Sequence, residues 1–230
     1  MPAHIAVFDI NETTLDLAPV RATVVELVDD PLAFTVWFQK LLQLSMTVTA
    51  TDAYVDFSQL ARAALETVFS SLGLTAPDGA WDRVASAMNS IEPYPEVRAG
   101  LQRLRDAGWT TLALTNSAPG QVRDQLERTG LAPLFDHVLS VDAVSAFKPA
   151  AAPYRYAAAQ VGVDPGSMWM VACHDWDLAG AAAVGMSTAF VARAGMGYAT
   201  TYPAPTVSVD GFEALAVELI AQSDDSGGRM

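Results

Sequence analysis

The sequence predicts an α/β protein in which a Rossmann-like parallel sheet carries an inserted helical cap. Three observations predict it. Short apolar runs alternate with amphipathic stretches through the second half of the chain, most of those stretches close on a glycine, and a block of helical periodicity interrupts the pattern just after the first apolar run. Strands alternating with helices make right-handed βαβ units, hence a parallel sheet covered on both faces. The chain has 230 residues, 51% of them hydrophobic. That suffices for a well-packed core with one insertion.

The elements follow in order. His4–Phe8 (HIAVF) is a short apolar run ending in the polar cluster DINETT, the pattern of a buried strand entering a functional loop. Residues 17–90 are helical by periodicity: Trp37, Leu41 and Leu44 recur at helical spacing, then Leu60, Ala64, Val68 and Leu72. After Pro93-Tyr94-Pro95 the alternation begins. Val97–Ala107 is expected as a helix, Trp109–Thr115 as a strand, Gln121–Thr129 as a helix and His137–Ser140 as a strand. Pro153–Val161 is a helix, Met168–Cys173 a strand, Leu178–Val184 a helix and Ser187–Val191 the fifth strand. Phe212–Gln222 closes the series, and the tail 223–230 (SDDSGGRM) is expected to be disordered. The core is thus expected at residues 1–15 and 93–222, with the cap at 16–92. Gly195-Met196-Gly197 lacks nucleotide-loop spacing and reads as a turn.

Composition narrows the partners. The net charge is −13, with no Lys/Arg-rich run, which argues against nucleic acid and anionic membrane surfaces, because both are bound through clustered cations. The one cysteine, Cys173, excludes an internal disulfide and a multi-cysteine metal site. The start has no basic segment before its short apolar run, and no apolar stretch reaches the roughly 18 residues of a membrane helix. A cytoplasmic protein acting on a small molecule, with neither a nucleic-acid nor a membrane partner, is expected.

Ligands of an open parallel sheet bind beyond the carboxyl ends of its strands. The polar residues at those ends are Asp9, Asn11 and Thr13 after the first, Thr115-Asn116-Ser117 after the second, Lys148-Pro149 after the third, and Cys173, His174, Asp175 and Asp177 after the fourth. An aspartate at a strand end also serves as a turn former or cap. Together, however, these groups make a reaction centre: a carboxylate that can form an ester, a lysine to keep it ionised, and donors for an anionic group.

In this order, D-x-x-x-T, [ST]-N, K-P and a strand-four acidic loop resemble the motifs of the haloacid dehalogenase superfamily, over nearly the whole chain. The superfamily's phosphatases place an acid two residues after the nucleophile and bind Mg²⁺ through a GDxxxD loop. Here those positions hold Asn11, which has no proton to give, and Cys173, a poor partner for a hard cation. The pattern is instead similar to the type II 2-haloacid dehalogenases, which need no metal or other cofactor. FD-x-x-x-T matches Phe8, Asp9 and Thr13, [ST]-N matches Thr115 and Asn116, and K-P-x-x-x-x-Y matches Lys148, Pro149 and Tyr154. W-D matches Trp176 and Asp177, W-x-Q-K-x-L matches Trp37–Leu42, and Y-x-x-F matches Tyr54 and Phe57.

The resemblance implies that Asp9 displaces halide from a 2-halo acid and that water activated near Asp177 cleaves the ester. It further implies that Lys148 and Tyr154 position the carboxylates, Thr13 belongs to the catalytic centre, and Ile10, Asn11, Thr115, Asn116, Trp37, Phe38, Phe57 and Trp176 surround the substrate; His174, by its own chemistry, is a candidate catalytic donor or base, or else a structural hydrogen bonder. It also implies a homodimer, with which the apolar cap helices agree. Three positions depart from the pattern: the family's cap arginine is Phe38, its strand-four serine is Ala172, and its asparagine is His174. A lost guanidinium contact is worth about 1.5–3 kcal/mol. A Mg²⁺-dependent phosphatase and a non-catalytic binding relative are the rival readings.

Overall fold

The structure is a computed structural model that describes residues 4–227. The chain enters through β1 (Ile5–Phe8), makes the short strand β2 (Leu15–Asp16), and runs through α1 (Ala18–Val28), α2 (Ala33–Ala50), α3 (Phe57–Ser71) and α4 (Ala80–Ala87). It returns through β3 (Glu92–Pro93), which pairs antiparallel with β2, Leu15 opposite Pro93. This two-stranded ribbon closes the base of the helical excursion. Then follow α5 (Val97–Asp106), β4 (Thr110–Thr115), α6 (Pro119–Arg128), β5 (His137–Ser140), α7 (Ala151–Val161), β6 (Met168–Ala172), α8 (Asp175–Ala183), β7 (Ser187–Val191), β8 (Val207–Val209) and α9 (Phe212–Gly227).

The main sheet has the order β5-β4-β1-β6-β7-β8, with every neighbouring pair parallel. All of β1 is buried, as a central parallel strand covered on both faces must be. Its alternate residues feed two cores. Ala6 and Phe8 pack on the side of α5 and α9, Ile5 and Val7 on the side of α7 and α8. Phe8 stacks on Phe212 at 5.6 Å and meets Phe135 edge-on at 6.0 Å. β4 lies on one side of β1 and β6 on the other, so the crossovers leave β1 in opposite directions. The crevice at its carboxyl end is the place where such sheets bind ligands.

Two glycines set close approaches. A Cβ on Gly100 would lie 2.5 Å from the Phe212 carbonyl oxygen, so the bare glycine lets α5 approach the start of α9 closely. A Cβ on Gly180 would lie 2.6 Å from Pro149 and 2.7 Å from the Tyr154 hydroxyl. Gly180 thereby lets α8 sit directly against the Lys148-Pro149 turn.

The sheet corrects the expected strand count. A sixth strand, β8, pairs with β7 at the edge. Its three residues follow the proline-punctuated stretch 203–205 and are too few to show a period. The final helix also runs past Gln222 to Gly227, into the stretch expected as disordered tail; residues 228–230 lie outside the described residues. Among the described residues, no helix is long and apolar enough to cross a membrane.

Candidate active site

Asp9 follows β1 directly, its backbone N–H donating to the Val171 carbonyl at 3.0 Å, so the turn grows out of the sheet itself. Lys148 reaches it from the loop after β5 and donates to Asp9 Oδ1 at 2.9 Å, to Asp177 Oδ2 at 2.6 Å and to the Leu114 carbonyl at 3.0 Å. Those three bonds use all three hydrogens of the ammonium. Lys148 and Asp177 are wholly buried and Asp9 nearly so. The Tyr154 hydroxyl donates to Asp177 Oδ1 at 2.7 Å.

The other carboxylate oxygen of Asp9 has its own donors. The Thr13 hydroxyl donates to Oδ2 at 2.8 Å, aimed by the Cys173 N–H that donates to Thr13 Oγ1 at 2.9 Å. His174 Nδ1 lies 3.1 Å from the same Oδ2. Its Nε2 lies 3.2 Å from Glu12 Oε2. The ring is held between Phe38, at 5.8 Å, and Trp176, at 5.2 Å.

The charges follow from these contacts. Burial opposes ionisation of Asp9, but Lys148 and His174 outweigh it and hold the carboxyl far below its usual range. Burial likewise works against the charged Lys148, and Asp177 and Asp9 together raise it above its ordinary value. Asp177 is pushed up by burial and by the nearby Asp9, with Lys148 opposing. The result is an ionised Asp9 beside a carboxylate with raised proton affinity, an arrangement chemically able to form an ester and to accept a proton from water.

A cleft of about 530 Å³ reaches this group at His174, which stands between it and Asp9, and is lined among others by Glu12, Arg21, Phe34, Phe38 and Trp176. A second cavity of about 300 Å³ lies on the other side of Phe38, against Asn11, Trp37, Phe57 and Ser117. Phe38 borders both. Gly195, Met196 and Gly197 wall the larger cleft, a more specific position than a plain turn implies.

The structure brings Asp9, Thr13, Lys148, His174 and Asp177 together and sets Phe38 and Trp176 over them. It places other expected substrate contacts differently. Ile10 is fully buried in the core and lines neither cavity. Tyr154 is also fully buried and meets Asp177 from behind, so its hydroxyl serves that carboxylate. The Thr115 hydroxyl accepts from the Ser117 N–H, and Asn116 Oδ1 accepts from the Lys148 N–H at 3.0 Å; both side chains shape the turns around Lys148. Trp37 donates from Nε1 to the Ala61 carbonyl, tying α2 to α3 while its ring faces the smaller cavity. Asn11 donates to Ser117 Oγ at 3.1 Å, and its own Oδ1 is buried without a partner at that cavity. Lys40, the lysine of the W-x-Q-K-x-L segment, donates to Gln43 on the surface and lines neither cavity.

Glu12 was not among the residues singled out from the sequence. It is buried, and its backbone is left-handed, at φ 61°. A run of polar residues gives no sign of either property.

Residues 4–185 match the model of the haloacid dehalogenase-like hydrolases. The chain belongs to that family. Among curated haloacid dehalogenase relatives, it is 31% identical to (S)-2-haloacid dehalogenase 4A of Burkholderia cepacia, over 82% of this chain and 83% of that protein. Among solved structures, it superposes on the L-2-haloacid dehalogenase from Xanthobacter autotrophicus with a TM-score of 0.85 at 28% identity, covering 94% of this chain and 97% of the other. The same Xanthobacter dehalogenase with chloropropionic acid covalently bound aligns with a TM-score of 0.84 at 27% identity, over 94% and 97% of the two chains. The haloacid dehalogenase-like architecture, a mostly parallel six-stranded sheet flanked by helices, is therefore common to this chain and those enzymes.

Proposed function

We propose that this protein is a cytoplasmic hydrolase that removes halide from small 2-haloalkanoic acids through an ester on Asp9, without a metal ion. The observation that carries the reading is the buried line Asp9–Lys148–Asp177. In it, the ammonium keeps Asp9 ionised for attack and ties it to the second carboxylate, Asp177. Asn11 offers no proton for a phosphate leaving group, and Cys173 offers sulfur where a hard cation wants oxygen. Similarity to (S)-2-haloacid dehalogenases supports the substrate class.

In the first step an Asp9 oxygen attacks C2, and the carbon–halogen electron pair leaves with the halide. In the second, water adds to the Asp9 carboxyl carbon with Asp177 taking its proton, and the 2-hydroxy acid departs. Phe38 and Trp176 cover the site and keep bulk water from the nucleophile.

Halide release from (S)-2-chloropropionate measures this directly. Release unchanged by EDTA is the expected result. Loss of activity in EDTA and its return with Mg²⁺ contradict the metal-free route, and hydrolysis of phosphate esters in place of halo acids contradicts the substrate class.

A further inference from the structure

The reaction above leaves two side chains close to the nucleophile without a task, His174 and the carboxylate that pairs with it, Glu12. Glu12 sits three residues beyond Asp9 in a left-handed backbone conformation that is unfavourable for a non-glycine residue. Its side chain is buried, with Oε2 on His174 Nε2 and Oε1 accepting from Arg21 Nη2 at 3.0 Å. Arg21 comes from α1 and lies over the Phe34 ring at 4.0 Å. The whole forms a chain, Asp9–His174–Glu12–Arg21, whose last three members line the larger cleft. A buried, left-handed carboxylate clamped at both oxygens is the kind of local cost that persists where a site demands it.

The tautomer of His174 follows from its neighbours. Both ring nitrogens face carboxylate oxygens, and ionised carboxylates only accept hydrogen bonds, so both nitrogens donate and the ring is an imidazolium. Phe38 and Trp176 cover its two faces with uncharged rings. The titratable groups around it are Asp9, Glu12 and Cys173, with Lys148 behind Asp9 and Arg21 behind Glu12. Asp175, next in the chain, is turned to the N–H groups of Trp176 and Ala199. Burial would lower the His174 value; the Cys173 sulfur and the bonds to Asp9 and Glu12 outweigh it and raise it well above that of an ordinary histidine.

Two donors therefore converge on Asp9 Oδ2, Thr13 at 2.8 Å and His174 at 3.1 Å, while Lys148 holds Oδ1. That is the spacing of an oxyanion site. We propose that Glu12 is a positioning residue that orients His174 and keeps it cationic, so that His174 and Thr13 stabilise the negative charge on Oδ2 when water attacks the Asp9 ester. The inference rests on the ester reading of the previous subsection. In that step the substrate carbon is bonded to Oδ1. Water adds to the carboxyl carbon, one of its protons passes to Asp177, and the electron pair of the carbonyl moves onto Oδ2. Collapse restores the carbonyl and breaks the bond between the carboxyl carbon and Oδ1. The 2-hydroxy acid leaves with Oδ1 and regains the proton from Asp177, and Asp9 releases water's second proton as it ionises again.

The test is Glu12→Gln, read in three ways. Its alkaline limb in kcat is expected about one pH unit or more below that of the wild type, since one of the carboxylates that keep the ring charged is gone. kcat is expected to fall about 10- to 100-fold. Rapidly quenched enzyme should carry the ester adduct by mass, because alkylation continues while hydrolysis lags. An alkaline limb that superposes on the wild type, with no accumulated adduct, overturns the proposal. A merely structural role for Glu12 would lower the amount of active enzyme and leave the limb where it was. Should the variant not fold, ¹⁵N NMR of the wild type decides. The chain has three histidines, and His174 should stay protonated on both nitrogens through pH 7. A His174 that titrates as ordinary histidines do overturns the proposal. That titration needs no substrate, so it still reads the Glu12 pairing if the protein turns over no halo acid and the ester reading itself fails.

Discussion

Replacement of Asp9 by asparagine abolishes turnover and leaves a folded protein. The amide keeps the size and shape of the side chain but is a far weaker nucleophile, so the loss in kcat is expected at about 10⁴-fold or more, the scale on which removing a nucleophile acts. Stability changes less, and in a pH-dependent way. The folded protein holds the Asp9 carboxyl below its usual range. Its ionised form therefore supports the fold at every pH above the ordinary carboxylate value of about 3.9, and that support is lost as the pH falls through the lower, folded value. The melting difference between Asp9→Asn and the wild type is thus expected to be full at neutral pH and to shrink below pH of about 4. Thermal melts at several pH values beside a halide-release assay check both halves. Retained turnover would remove Asp9 from the chemistry.

Lys148→Met has the larger effect on folding. The ammonium is wholly buried and gives all its hydrogens to Asp9, Asp177 and the Leu114 carbonyl. Methionine fills similar space but leaves two buried carboxylates facing one another with no cation between them. Breaking a buried pair in this way costs about 3–5 kcal/mol. For a chain of this size each kcal/mol moves the midpoint by about 2–4 °C, so the expected fall in Tm is about 6–20 °C. Asp177, whose proton affinity is already raised, takes up a proton to relieve the repulsion, and turnover at neutral pH is lost with the base that activates water. Arginine does not substitute, because its planar fork cannot place three hydrogens on the points that one ammonium reaches. A melting point unchanged from the wild type would show that the line Asp9–Lys148–Asp177 is not the electrostatic centre of the site.

How much of this was legible in the sequence depends on what each residue's role leaves on the chain. The strands that build the site were readable because a central parallel strand must be apolar throughout, as Ile5–Phe8 and Met168–Ala172 are. Lys148 and Asp177 were readable as members of ordered motifs at strand ends. β8 was not, because a three-residue edge strand has no period to read. Tyr154 had the right motif position but faces Asp177 from the core side, and nothing in a spacing says which side of a carboxylate a hydroxyl will occupy. Thr115 and Asn116 were likewise placed correctly along the chain, and their side chains turned inward to organise the loop of Lys148. Glu12 was hidden for a different reason. Its role depends on a left-handed backbone and on His174, 162 positions away, and neither is visible in the segment DINETT.

The departures from the family pattern also gain a physical setting. Phe38, in place of the cap arginine, stacks on His174, whose Nδ1 lies 3.1 Å from Asp9 Oδ2. On the proposed reading, His174 brings a second positive group to Asp9 beside Lys148, from the end of β6 and not from the cap.

The central claim is the covalent ester on Asp9, and mass spectrometry of the protein after turnover of 2-chloropropionate in H₂¹⁸O tests it most directly. Water attacking the Asp9 ester leaves its oxygen in the carboxylate, so ¹⁸O is expected in the peptide that contains Asp9 after several turnovers, and in the 2-hydroxy acid only from the second turnover onward. Label found in the product from the first turnover, with none in Asp9, would mean that water attacks the substrate carbon itself and would contradict the account.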